Sequence, residues 1–166
     1  RKEKEVLDKI KEKREELEQL QENLEGLEVY KELLYENGDA LEEVVRKTLR
    51  DIGLTVKGEK PHFHDALIEL DNHKVVVEIT GTNGSLKRKK CRQLQDWVGK
   101  TIDESIGETD KEIIGLLIVN PQRNEKPEER SDYIPADAEE FMERTDNRIL
   151  TTIDLYRLIK GYREGK

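Results

Sequence analysis

The chain has 166 residues, of which 41% are charged and 34% apolar, and its formal net charge is −8. That length holds one ordinary domain plus an appendage, with a core confined to part of the chain. The acidic balance excludes a surface that attracts nucleic acid everywhere, because most of it repels a phosphate backbone; such a partner must meet a local basic patch.

One cysteine, Cys91, excludes an internal disulfide and suits a reducing compartment, so the expected location is intracellular and cytoplasmic. No apolar run approaches the roughly 20 residues of a membrane span. No signal-peptide pattern opens the chain, and no membrane partner is expected. The start at Arg1 instead of methionine points to a piece of a longer protein.

From Arg1 to about Asn37 there is no proline, and leucine alternates with charge. With Val6 at heptad position d, the a positions hold Ile10, Leu17, Leu24 and Lys31, and the following d positions hold Lys13, Leu20, Leu27 and Leu34. Seven of these nine seam positions are apolar, spaced alternately four and three apart. That spacing keeps one stripe facing a partner along a supercoil. Two arrangements would cover it: a helix folded back on its own domain, or an intermolecular coiled coil. The Glu, Lys, Arg and Gln flanking the stripe favour the second, a homodimer through residues 6–34.

Residues 1–37 are therefore read as a coiled-coil helix and 38–166 as a separate domain. Asn37-Gly38 is a helix stop, since glycine accepts the left-handed conformation. Asp39 is the expected cap of a helix from Ala40 to Asp51, with Glu42 as its capping-box partner. Strands are expected at Leu54–Lys57, Asp65–Leu70 and Val75–Thr80, the last two joined by a turn at Asp71-Asn72-His73-Lys74. Ser85 is the expected cap of a helix to about Ser105, with Leu86, Cys91, Leu94, Val98 and Ile102 facing inward. Ile113–Val119, the most apolar stretch, reads as a strand covered on both faces. A polar, proline-bearing loop follows, then a helix at Asp137–Arg144, a strand at Arg148–Thr151 and a helix from Asp154. This order, αβββαβαβα, implies an α/β fold with a mixed central sheet flanked by helices.

Chemistry concentrates around two acids. Asp65 opens one strand and Glu78 closes the next, so an antiparallel hairpin sets them side by side. Two adjacent carboxylates repel each other unless something positive stands between them, and a divalent cation bound by hard oxygens answers that need. Such an ion activates water and stabilises charge on a phosphodiester. Just beyond lie Lys87, Arg88, Lys89, Lys90 and Arg92, five cations at a helix start where the macrodipole disfavours them. Phosphate contact accounts for that placement; so does a solvated face balancing an acidic protein.

Asp65, followed thirteen residues later by Glu78-Ile79-Thr80, resembles the motif of the restriction-endonuclease-like PD-(D/E)XK nuclease superfamily. The resemblance runs along most of Ala40–Arg163. "LEEVVRKTLRDIGL" looks like that family's first helix, with Glu42 where many members carry a further metal-site glutamate. "RQLQDW" is similar to the Gln-x-x-x-Tyr helix motif of the exonuclease branch, with Trp97 in place of tyrosine, and "ILTTIDLYRLI" looks like the closing strand and helix. The resemblance implies magnesium or manganese held by Asp65, Glu78 and Glu42, and a catalytic set of Asp65, Glu78, Gln93 and the residue at position 80. It also implies a nucleic-acid substrate, DNA first, contacted through Lys87–Arg92.

Thr80 departs from the pattern, since the family has lysine there. Threonine brings no positive charge beside the scissile phosphate. One explanation is a domain that binds nucleic acid with catalysis lost or reduced, needing no metal. The other is an active nuclease whose lysine has moved to Lys87, Lys89 or Lys90; Lys74, about 13 Å along the strand from Glu78, is too far. A third reading makes the coiled coil the working part of a protein-interaction module.

Other residues carry weaker signals. His62 and His64 alternate towards Asp65, and His64 is a possible substitute base. Asn120, Arg123 and Asn124 could line a cleft. Cys91 has basic neighbours that could lower its pKa, although a small buried side chain is the simpler reading. "GTNGS" lacks the lysine placement of a P-loop.

Overall fold

The computed structural model describes residues 2–58, 63–107 and 110–165. The fold is α/β: a five-stranded mixed sheet flanked by helices, with a long helix at the N-terminus. Strands β1 (Thr55–Lys57), β2 (Ala66–Glu69), β3 (His73–Gly81), β4 (Glu112–Asn120) and β5 (Arg148–Thr151) lie in that order across the sheet. β2 runs antiparallel to both of its neighbours, β1 and β3, and β3, β4 and β5 run parallel. Parallel neighbours need a crossover on one face, which α4 (Arg88–Glu104) supplies between β3 and β4, and α5 (Ala136–Arg144) between β4 and β5.

Alternation along β3 divides the core. Val75, Val77 and Ile79 face α3 (Gly38–Asp51) and α6 (Thr152–Arg163), packing with Leu41, Val45, Leu155 and Ile159. Val76 faces the other way with Leu117 and Val119, against Cys91, Leu94 and Val98 of α4 and Met142 of α5. The sequence expectation that β4 is covered on both faces agrees with this. By the same two-residue period, Glu78 and Thr80 belong to the α4 side.

Helix starts depart from expectation at two places. Asn37, not Asp39, is the N-cap of α3, and Gly38 takes φ of 53°, which any other residue resists. Glu42 is thereby released from a capping box and pairs with Arg46 instead. Ser85 does not cap α4, because its hydroxyl donates to the Asp132 carbonyl at 3.2 Å; the helix begins at Arg88 with Lys87 at its N-cap. Ile102 is 45% exposed and not inward-facing, since Thr101 and Val98 occupy the buried face.

The N-terminal helix is not one uninterrupted rod. Helix α1 (Lys2–Glu28) gives way to a single 3₁₀ turn at Val29–Lys31 and then to the short α2 (Glu32–Tyr35). The tighter turn changes the phase of the side chains. Leu27 packs on the core, Tyr30 and Leu33 lie within it, and the Tyr30 hydroxyl donates to Asp51 Oδ2 at 2.7 Å. Leu34, a seam position in the heptad reading, is buried in the domain. The exposed part of the apolar seam therefore ends at Leu24, and the domain's core begins before residue 38. No residue of α1 is buried. Among the described residues, no helix is long and apolar enough to cross a membrane.

Candidate functional site

Asp65 and Glu78 come together. The β2–β3 register pairs Ala66 with Val77, and the next rung brings Asp65 opposite Glu78. Directly opposed residues on antiparallel strands point to the same face. The Asp65 N–H donates to the Val77 carbonyl at 3.1 Å, and Asp65 Oδ2 accepts from the Ile79 N–H at 2.7 Å. Its backbone and side chain are thus both tied to β3, one residue to either side of Glu78.

Helix α4 supplies the positive partner. Lys90 Nζ donates to Glu78 Oε1 at 2.8 Å, and Trp97 Nε1 donates to Glu78 Oε2 at 3.1 Å. Glu78 is 2% exposed, so both oxygens of a buried carboxylate are satisfied from one helix. Lys90 and Trp97 are seven residues apart, two turns along one face, which is why both reach the same acid. Of the three helix lysines that the sequence leaves open as the moved lysine, Lys90 is the one that reaches Glu78, while Lys87 and Lys89 are exposed. Trp97 as a donor was not foreseen, although its spacing from Lys90 is a legible signal.

The acid pair is electrostatically strained. Burial, and then the nearby charge of Glu78, push the Asp65 carboxyl from 3.8 up to about 6, against the opposing pull of the Ile79 N–H, Lys90 and Arg46. Glu42, on the far side of the sheet, is raised as well, by its own burial and then by Asp65. Arg46 bridges the two layers: its Nη1 donates to the Asp65 carbonyl at 3.0 Å and to Glu42 Oε2 at 3.3 Å.

The remaining expected residues are spread more widely. Thr80 shares the Glu78 side of β3 and is half-buried opposite Val119. Gln93 lines a groove of about 720 Å³ along α4, with Lys89, Arg92, Trp97 and Lys100, and makes no hydrogen bond to Glu78. Lys100 sits over the Trp97 ring at 4.5 Å, and Phe63 stacks at a tilt against the same indole at 5.5 Å. The five cations do not act as one patch. Arg88 turns inward over the Phe141 ring and towards Asp137, Lys90 holds Glu78, and Lys87, Lys89 and Arg92 are exposed.

His64 is buried with its ring 5.2 Å from that of Phe63, while His62 lies outside the described residues. Cys91 is fully buried and burial pushes its thiol up, opposite to the lowering that its basic neighbours suggest. Asn120 is not a cleft residue. It is buried in a lock that sequence reasoning missed: Arg130 Nη1 donates to Asn120 Oδ1 at 2.8 Å, Thr152 Oγ1 donates to the same oxygen at 3.1 Å, and Asn120 Nδ2 donates to the Glu36 carbonyl at 2.9 Å.

Metal ligation divides along the same lines. Among the described residues, no three His, Cys, Asp or Glu side chains group closely enough to hold an ion, so Glu42 does not join the acid pair as a third ligand. Its charge is engaged by Arg46. Asp65 and Glu78 nonetheless suit a magnesium-type ion, which commonly takes one or two protein carboxylates and completes its shell with water and phosphate. The elevated Asp65 pKa marks a place where added positive charge is favourable.

Compared with known proteins, the chain matches no family model and no curated protein.

Proposed function

We propose that the domain is a divalent-metal-dependent phosphodiesterase of the PD-(D/E)XK kind, acting on nucleic acid, with Lys90 in the role of the lysine missing at Thr80. The observation that carries this reading is the meeting of Asp65, Glu78 and Lys90: two acids on paired strands, and an ammonium 2.8 Å from one of them. Magnesium or manganese on Asp65 and Glu78 would supply Lewis-acid activation of water and neutralise charge on the phosphate.

The chain's own residues have definable tasks. Asp65 is oriented by the Ile79 N–H, which fixes one oxygen and stabilises the ionised form. Trp97 holds Glu78 in place without adding charge. Lys90, on a flexible four-carbon stem, is partly exposed and able to turn from Glu78 towards a phosphate oxygen or an attacking water. Lys89, Arg92 and Lys100 offer contacts to a phosphate backbone along a groove that also carries Asp96 and Asp103. Thr80 contributes no cation and is assigned only a supporting hydroxyl.

A specific observation favours a second reading, nucleic-acid binding without cleavage. Both Glu78 oxygens are already occupied by Lys90 and Trp97, so the lysine offsets the charge that a metal ion would otherwise offset. In either case we assign homodimerisation to the seam from Val6 to Leu24. Val6, Ile10, Leu17, Leu20 and Leu24 are each 45–60% exposed at heptad spacing, a stripe that a second copy would cover.

Plasmid nicking in magnesium or manganese separates the readings. Cleavage lost in Glu78→Ala and strongly reduced in Lys90→Ala supports the nuclease. Salt-sensitive DNA retardation with no cleavage at any metal concentration supports binding alone. The absence of both defeats each reading and leaves an interaction module. Sedimentation of the whole chain, with Leu17→Glu as the control, tests the dimer.

A further inference from the structure

The parallel strands β3 and β4 end side by side, Gly81 beside Asn120. The loops that leave them form an open cavity of about 520 Å³, whose lining includes Asn37, Thr82, Asn83, Ser85, Lys87 and Arg123. Its walls are held by backbone bonds. The Thr82 N–H donates to the Asn120 carbonyl at 2.9 Å, the Arg123 N–H to the Thr82 carbonyl at 3.0 Å, and the Gln122 N–H to the Gly84 carbonyl at 3.1 Å. Gly81 lets the third wall close in: a Cβ there would stand 2.8 Å from the Asn37 Cβ and 3.1 Å from the Glu36 carbonyl oxygen. This is a formed pocket at the carboxyl ends of adjacent parallel strands, where α/β folds commonly bind ligands.

Its charge has one sign. Among the described residues, Lys87 and Arg123 are the only ionisable side chains in the lining, and no carboxylate lines it. Asp39, in the first turn of α3, lies outside it. Among the described residues, neither Lys87 nor Arg123 makes an ion pair, whereas Arg88 and Lys90 of the same basic run are both engaged. Two cations without an acidic partner thus converge on one groove of a protein with net charge −8, one of them exposed and one half-buried. Two helix starts add to them. Asn37 caps α3 and Lys87 caps α4, and neither N-cap side chain makes a cap bond, so the first-turn N–H groups of both helices add a partial positive charge near this point. The Thr82 hydroxyl accepts from the Gly84 N–H and keeps its own proton to donate, and the Asn37 and Asn83 amides add further donors.

We propose that this cavity binds a phosphate monoester dianion, carried on the end of a nucleic-acid strand or as a free phosphate species. Two cations match the dianion, and the volume leaves room for an attached sugar. The strand-end assignment rests on the function proposed above; the cavity's geometry does not. Gly81 lies three residues beyond Glu78 on β3, about 10 Å at 3.3 Å per residue, so a terminus held here would present the acid pair with a bond close to the strand end.

Calorimetric titration of inorganic phosphate into the whole chain, without metal, tests the cavity. Saturable binding is expected, weakened about tenfold or more in Lys87→Ala/Arg123→Ala and in Lys87→Glu alone, each with an unchanged circular dichroism spectrum. It is expected to persist in Asp65→Asn. No saturable binding, or equal affinity in these variants, overturns the proposal. Oligonucleotides with a 5′-phosphate, a 3′-phosphate or neither distinguish the sources. Tighter binding of a phosphorylated end that disappears in the double variant identifies a strand terminus. A response confined to inorganic phosphate keeps the site and assigns it a free ligand. Cleavage is read separately through Glu78→Ala, so a failed nuclease reading does not look like a failed phosphate site.

Discussion

Two buried charged clusters lie near the ends of the parallel strands, and they are built on opposite principles. Arg130 is 7% exposed and meets no carboxylate; it donates to Asn120 Oδ1 and to the carbonyls of Leu34, Glu125 and Arg123. Every partner is a fixed dipole, and the guanidinium fork is satisfied without an opposing charge. Around Glu78 the arrangement is reversed. Two like charges are set side by side, one lysine serves both, and the Asp65 carboxyl is forced up to about 6. A buried charge that is fully satisfied holds a fold together, while one left in conflict stores a preference for something yet to arrive.

The contrast can be broken most forcefully at Glu78. Glu78→Ala is expected to lower metal-dependent cleavage by ~10³-fold or more with a smaller loss of stability, about 1–2 kcal/mol, because relief of the repulsion with Asp65 partly offsets the partners that Lys90 and Trp97 lose. Nicking assays and urea denaturation of the same preparation check both halves. Arg130→Ala is expected to do the reverse. It leaves the buried Leu34 carbonyl without its donor, takes one of two donors from Asn120 Oδ1 and frees the half-buried carbonyls of Arg123 and Glu125, costing about 2–4 kcal/mol in urea unfolding with turnover per folded molecule nearly unchanged. Equal loss of activity and stability in both variants would erase the distinction.

Lys90→Ala sharpens the comparison further. Cleavage should fall by ~10²-fold while metal affinity, measured by calorimetry, stays level or rises, since Glu78 Oε1 loses its competitor. The smallest expected effect concerns pH. Asp65 titrates near 6 in the folded chain against 3.8 ordinarily, so the folded state holds its proton more tightly. Stability from this group is complete below about pH 3.8 and is lost as pH rises through 6. Asp65→Asn should remove that slope and raise stability at pH 7 by ~1–2 kcal/mol after allowance for solvent screening, since its amide oxygen can still accept from the Ile79 N–H. Unfolding midpoints between pH 4 and 7 provide the check.

These two clusters were not equally legible in the sequence. The acid pair follows from strand alternation and a tight turn, both local, so the meeting of Asp65 and Glu78 could be read directly. The choice among Lys87, Lys89 and Lys90 could not, because a helix starting at Arg88 instead of Ser85 changes which side chains face the sheet. Arg130 was invisible in a loop that reads as too polar for a core. Three of its four acceptors are main-chain carbonyls, one of them 96 residues away, and a carbonyl leaves no trace in residue type. The N-terminal helix misled for a related reason. Its heptad pattern runs unbroken to Leu34, but the 3₁₀ turn at Val29–Lys31 redirects Tyr30 and Leu33 into the domain. The strands and core helices were recovered to within a few residues, since their apolar periodicity is strong and short-ranged.

That redirection has a mechanical consequence. Helix α1 extends about 40 Å at 1.5 Å per residue, and its root is fastened where the Leu34 carbonyl takes Arg130 and the Glu36 carbonyl takes Asn120. Between α1 and that anchor lies the 3₁₀ turn, with Tyr30 packed in the core. Whatever grasps its tip also bears on the heading of the face that carries Asp65 and Glu78, so two such levers joined along their length would tie the separation of those two faces to the geometry of the pairing.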